Sequence, residues 1–255
     1  MMFFLIQYAR VIHAIRRFLS RTGMLDLLDL RARNTQWALW FRSLFSVLDF
    51  HDFITLETPW WTLASGRKVT DFLLQRPHAR ALEWGSGAST VWLGSLCRTV
   101  VSIESDRHWA EMVRGSVGPH VAILSPEVPR HDGTGGIRSK RWGFRKRDFS
   151  DYVNAGRSVA GPFDLIVIDG RAREACLEVA LEQLAPDGII LFDNTNRLRY
   201  RRALARHREK LAIHRDVGLT PIVPWPTETS VISWKVPEAY AAAGSRAGVG
   251  ASTER

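Results

Sequence analysis

At 255 residues and 45% hydrophobic composition, the chain has room for one α/β domain with extensions and an ordinary globular core. Its two cysteines, Cys97 and Cys176, exclude a disulfide framework and point to a reducing, cytoplasmic compartment. The net charge of +9 comes from 30 Arg and five Lys against 26 acids, which suits an anionic partner, and no apolar run is long enough to span a bilayer.

Residues 1–57 read as a helical extension. Phe4, Tyr8, Ile12, Ile15 and Leu19 recur at helical spacing with Arg10, Arg16 and Arg17 between them. Such a helix can cap a core, form a dimer contact or lie on an anionic membrane surface, so peripheral membrane contact through residues 1–20 is one expectation. Met1–Ala9 is apolar but lacks a basic leader and a clear cleavage site, so no secretory signal is expected.

A second region, residues 58–236, alternates strand and helix. Thr58-Pro59 is the expected start of a helix running toward Leu74. Strands are expected at Ala81–Glu83, Thr99–Ile103, Val121–Leu124, Phe163–Asp169 and Gly188–Phe192. Between them lie helices at Ser89–Leu96, 107–117 and Asp151–Val159, and one carrying Cys176, Val179, Ala180 and Leu184, ended by Pro186-Asp187-Gly188. Residues 125–147 form a long Gly- and Arg-rich loop of the kind that borders a substrate site. Ala212–Arg215 and Thr229–Lys235 read as two strands joined without a helix, through Pro221, Pro224 and Pro226. Residues 237–255 are small and Gly/Ala-rich, with the composition of a disordered tail.

The most informative segment is Glu83-Trp84-Gly85-Ser86-Gly87-Ala88-Ser89-Thr90, answered about twenty residues later by Glu104. Gly85 and Gly87 allow a ligand close to the backbone, and Glu104 can accept both hydroxyls of a ribose. A dinucleotide loop requires a third glycine where Thr90 stands, and Glu83 would repel a diphosphate. A cationic, adenosine-bearing ligand fits better, which favours S-adenosylmethionine over NAD.

These residues resemble a class I S-adenosylmethionine-dependent methyltransferase, of the bacterial group with E-x-G-S-G-x-S-T and I-D-G-R-x-R motifs. The second motif is carried by Asp169-Gly170-Arg171-Ala172-Arg173 and is followed by Asp193-Asn194-Thr195-Asn196-Arg197. The resemblance covers about residues 58–235. It implies a doubly wound, mostly parallel seven-stranded sheet with a terminal antiparallel hairpin, a Rossmann-like arrangement. It further implies that Gly85, Ser86 and Gly87 approach the methionine moiety with Glu83 beneath it, that Thr90 belongs to the same cofactor site, that Glu104 holds the ribose, and that Asp148 lies near the adenine amino group. Asp148 as a helix cap remains the alternative.

The reaction centre is expected at Asp169, Asp193 and Asn194, where two strand ends meet. Asp169 can act as a base, or the three can ligate Mg²⁺ or Ca²⁺, as in catechol-type methyltransferases with a similar Asp…Asp-Asn arrangement. Arg171 and Arg173 can clamp an anionic acceptor or pair with Glu174 and Glu178. The expected reaction is O-methylation of a small-molecule or glycan-like acceptor. Two basic runs, 130–147 and 197–210, each with seven basic residues and one acid, suit an anionic partner. They keep open a non-catalytic or nucleic-acid-binding module on the same fold; an NAD(P)-dependent oxidoreductase is the other alternative.

Overall fold

The computed structural model describes residues 2–131, 135–140 and 143–235, with side chains from residue 7 onward. The tail expected at 237–255, and Asp132 and Arg141 of the first basic run, lie outside the described residues.

Seven strands form one sheet. They are β1 (Arg80–Trp84), β2 (Thr99–Ile103), β3 (Val121–Leu124), β4 (Phe163–Ile168), β5 (Leu184–Asp193), β6 (Leu211–Thr220) and β7 (Val223–Trp234), in the order β3-β2-β1-β4-β5-β7-β6. The first five run parallel, and β7 is antiparallel to both β5 and β6. The order reverses between β1 and β4, which opens a crevice at their C-terminal ends.

Central position explains the composition of β1 and β4. Leu82, Trp84, Ile166 and Ile168 pack into the core on one face; Ala81, Leu165 and Val167 pack into the core on the other. Successive side chains point to opposite faces, so a strand covered on both sides must be apolar throughout. Glu83 is the exception, buried among hydrophobic neighbours.

Between strands run α5 (Leu63–Leu74, before β1), α6 (Ala88–Leu96), α7 (Arg107–Arg114), α8 (Ser150–Ser158), α9 (Arg173–Gln183) and α10 (Leu198–Ala205). The N-terminal extension is helical as expected: α1 (Met2–Arg21), α2 (Met24–Ala32), α3 (Gln36–Ser43), a 3-10 turn at Leu44–Ser46, and α4 (Phe50–Ile54). Arg42 secures it, donating to Asp29 at 2.5 Å and to Asp52 at 2.9 Å, while Arg16 of α1 reaches Asp49 at 2.7 Å. No helix among the described residues is long and apolar enough to cross a membrane.

Four element boundaries differ from expectation. Helix α5 starts after Thr62, whose hydroxyl accepts the Ser65 amide, rather than at Thr58-Pro59. Strand β5 begins at Leu184 and passes through Pro186-Asp187-Gly188, its register on β4 shifting there. The hairpin turns at Pro221-Ile222, while Pro224 and Pro226 lie inside β7. Strand β5 pairs with β7 only over Thr229–Ser233, so both prolines sit where that edge needs no donor. Helix α10 occupies part of a stretch legible in the sequence only as a basic run.

Candidate active site

The turn after β1 is shaped by two close backbone approaches. Gly85 has φ +102, and a Cβ on it would lie 2.7 Å from the Gly170 Cα. A Cβ on Gly170 would meet the Tyr152 hydroxyl at 1.9 Å. The β1 and β4 loops therefore touch only because both positions are glycine. The parallel ladder continues into the turns, with the Gly85 amide on the Ile103 carbonyl and the Asp169 amide on the Trp84 carbonyl, both at 2.9 Å.

Glu83 holds this turn from below. Its carboxylate accepts from Ser89 and Thr90 at 2.5 Å and from Ser102 at 2.7 Å. Burial pushes its pKa up to about 7, with the three hydroxyls acting in the opposite direction. Thr90 also accepts the Gly87 amide at 2.8 Å, which explains what a threonine does where a dinucleotide loop has glycine. Ser86 completes the set through a 2.6 Å contact with Ser102. Trp109 of α7 donates its indole N–H to the Ser86 carbonyl at 2.7 Å and packs edge-on against Phe50 of α4. The extension thus braces the glycine turn.

Above the turn, space is open at Gly87, where an added Cβ would meet nothing within 4 Å. Glu104 ends β2 beside it. The Asp106 amide at 2.8 Å and the Ser105 hydroxyl at 3.1 Å both bond its Oε1. Burial raises the Glu104 pKa, while its hydrogen bonds and the Arg171 charge lower it. An open cradle at Gly87 and a carboxylate at the end of β2 fit an adenosyl ligand with vicinal hydroxyls.

Asp148 lies between the long loop and α8. Its carboxylate accepts the Ser150 hydroxyl at 2.6 Å and amide at 2.8 Å, and the Ile137 amide at 3.1 Å. It precedes α8 and ties down the long loop, and the Ser150 bonds hold its pKa low. The loop folds back on itself through isolated bridges Arg130–Arg147 and Arg138–Asp148. It then brings the Phe144 ring over Arg171, 4.6 Å from guanidinium to centroid.

Asp169 and Asp193 are brought together as expected, but by an arginine. The buried Arg173 donates to the Gly170 carbonyl at 3.0 Å, and at 2.6 Å each to the Asp193 carbonyl, the Asp169 carbonyl and Asp169 Oδ1. All its nitrogens bind the protein, so the expected acceptor clamp by Arg173 is corrected to a strut between strand ends. Nor do Glu174 and Glu178 partner the two arginines as the alternative had it: they pair with Lys140 and with Arg206 and His207.

The metal reading is corrected on the same ground. Arg173 already supplies the positive charge between the two carboxylates, lying 3.6 Å from Asp193 Oδ2. Asp193 Oδ1 accepts the Thr229 hydroxyl at 2.7 Å, and the Asn194 amide donates to Oδ2. No cluster of three His, Cys, Asp or Glu side chains suited to a metal occurs among the described residues. This donor set does not fit Mg²⁺ or Ca²⁺, which need several oxygens free to converge.

Burial pushes Asp169 up to about 8; Arg173 works against this, and Asp193 adds to it.

Against known sequences, a family model described as a methyltransferase domain matches residues 82–195. Residues 82–195 therefore carry a methyltransferase domain. Among solved structures, an O-methyltransferase from Bacillus cereus in complex with S-adenosylhomocysteine is 17% identical. It aligns over 76% of this chain and 90% of its own with a TM-score of 0.52, so the two share the fold. A methyltransferase-like protein from Silicibacter pomeroyi is 22% identical over 70% of this chain and 92% of its own, at TM-score 0.42. An O-methyltransferase of tomaymycin synthesis from Streptomyces achromogenes, in complex with S-adenosylmethionine, is 14% identical over 67% and 81%, at TM-score 0.48. No curated protein matches the sequence.

In the methyltransferase domain, the basic run 197–210 is partly neutralised: Arg201 pairs with Glu228, Arg206 with Glu178 and Arg208 with Glu209. Arg197 and Arg199 instead face the Tyr200 ring, at 5.8 and 4.6 Å.

Proposed function

We propose that the enzyme methylates a hydroxyl oxygen of a small or glycan-like anionic acceptor. The observation that carries this reading is the position of Asp169 at the end of β4, beside the Gly85 turn and two residues before Arg171.

S-adenosylmethionine, when bound, supplies an electrophilic methyl group on a sulfonium. Glu104 would hold the ribose hydroxyls, and the Gly85–Gly87 backbone would lie along the methionine moiety. Asp169 takes the acceptor's hydroxyl proton as the oxygen attacks, a task that suits a carboxylate raised to about 8 by burial. Arg173 fixes the carboxylate through Oδ1 and steadies its charge before transfer. Arg171, Arg197 and Arg199 gather positive charge at the ends of β4 and β5, where an acidic acceptor would be oriented. Orientation supplies most of the acceleration in such a displacement, up to roughly 7–11 kcal/mol. The two thiols are buried and free, in keeping with a cytoplasmic location.

The test is calorimetric titration with S-adenosylhomocysteine, followed by turnover assays on matched hydroxylated acceptors with and without a carboxylate or phosphate. Binding of S-adenosylhomocysteine and preference for the charged acceptors is expected. NADH binding in its place would overturn the reading in favour of an oxidoreductase, and equal turnover of neutral acceptors would remove the anionic class.

A further inference from the structure

The methyltransferase chemistry leaves unused a set of exposed apolar side chains on the N-terminal extension. On α1, Tyr8, Val11, Ile15 and Phe18 share one face at helical spacing, and Val11 and Phe18 are 59% and 64% exposed. Helix α2 adds Met24, Leu27 and Leu30, and α3 adds Trp37 and Phe41, with Leu27 64% and Trp37 57% exposed. The other face of α1 is the docked one: Ala9 is buried, His13 bonds the Val47 carbonyl at 2.8 Å, and Arg16 pairs with Asp49 and Asp52. The stripe is therefore not the side by which the extension holds the domain.

Charge says what covers it. Arg10, Arg17, Arg21, Arg31 and Arg33 are exposed around the stripe. Residues 1–35 contain two acids; Asp29 is paired with Arg42 and Asp26 alone is exposed. Two copies of α1 packed stripe to stripe would set arginine against arginine with no acid in either helix. An anionic bilayer offers both complements, acyl chains for the stripe and headgroup phosphates for the arginines. The helix is too polar to span, so it would lie in the interface plane.

We infer that the extension docks the enzyme on an anionic membrane surface, with Val11, Ile15 and Phe18 inserted and Arg10, Arg17 and Arg21 at headgroup level. This inference does not depend on the acceptor or on the reaction.

The experiment is flotation of the full chain with phosphatidylcholine vesicles, with and without phosphatidylglycerol. Binding to the anionic vesicles alone, weakened by salt, is expected. Val11→Asp with Phe18→Asp should lower partition at least about tenfold. The triple change of Arg10, Arg17 and Arg21 to Gln should lower it on anionic vesicles while S-adenosylhomocysteine binding stays unchanged. The triple variant keeps the test decisive if the aspartates prevent folding. Equal flotation with neutral vesicles, undiminished binding by the triple variant, or no flotation would each overturn the inference. So would a wild-type dimer in light scattering that Phe18→Asp dissociates, which would give the stripe to a second copy.

Discussion

Arg173 and Asp169 lie four residues apart at the start of α9 and form a 2.6 Å ion pair within the protein interior. The same guanidinium reaches across to the end of β5 through the Asp193 carbonyl. One side chain therefore sets the spacing of the two strand ends that bear the proposed reaction centre.

Arg173→Met should destabilise the fold by about 3–5 kcal/mol, since it leaves one buried and one half-buried carboxylate and three carbonyls without their donor. Urea unfolding measures this. A loss of under about 1 kcal/mol, the scale of an exposed pair, would show that the strut is not structural.

A chelator should leave turnover unchanged, because Arg173 and not a divalent ion balances Asp169 and Asp193. Activity that vanishes with EDTA and returns with Mg²⁺ would restore the metal reading.

Much of this was legible in the sequence, and the losses have physical causes. Strands β2 and β3 read out to the residue because apolar runs bounded by polar turns leave little choice. The fold class was legible because Glu83–Thr90 and Glu104 carry a backbone requirement and a ligand requirement at once. Arg173 was misread because sequence shows a basic residue beside an acidic motif but not whether its side chain turns inward. Likewise the sequence places Glu83 beneath the turn but does not show that its carboxylate bonds Ser89, Thr90 and Ser102, residues up to nineteen positions away. Helix α10 was hidden because its buried stripe, Tyr200, Ala203 and Leu204, is short and interrupted by arginines.

Glu83 gives the stability a pH dependence of defined sign. Burial raises its pKa from 4.5 to about 7 on folding, so the folded chain holds the proton more tightly than the unfolded one. That contribution is complete below pH 4.5 and is lost as pH rises toward 7. Asp169 acts in the same direction between 3.8 and about 8. Asp49, Asp52 and Asp216, all lowered, act oppositely and only as pH falls through their own range. Glu83→Gln should flatten the decline in stability between pH 4.5 and 7 by at most about 3 kcal/mol, read from thermal melts across that window. A slope identical to wild type would mean that Glu83 does not change its protonation on folding.

The two glycines of the turn should separate by their consequences. Gly85→Ala forces a left-handed φ on alanine and drives its Cβ into Gly170, costing about 1–3 kcal/mol of stability along with cofactor affinity. Gly87→Ala has extended backbone and open space, so it should melt like wild type yet bind S-adenosylhomocysteine more weakly, because the new methyl occupies the ligand's approach. If Gly87→Ala binds normally, the ligand does not pass over this turn.

The final pair of variants divides cofactor binding from chemistry. Glu104→Ala removes the carboxylate at the end of β2 and should weaken S-adenosylhomocysteine by about 1–3 kcal/mol, the range for charge-assisted hydrogen bonds to the ribose. Asp169→Asn keeps an oxygen for Arg173 and leaves the glycine turn untouched, so cofactor affinity should stay near wild type. It cannot take a proton, and turnover should fall by roughly 10²–10⁴, the range for lost general-base assistance. The loss belongs in kcat rather than in cofactor Kd, because the missing interaction operates only as the acceptor oxygen attacks. Calorimetry on both variants, with turnover of one identified acceptor, reads the two effects separately. Full turnover by Asp169→Asn would move the reaction centre away from the ends of β4 and β5.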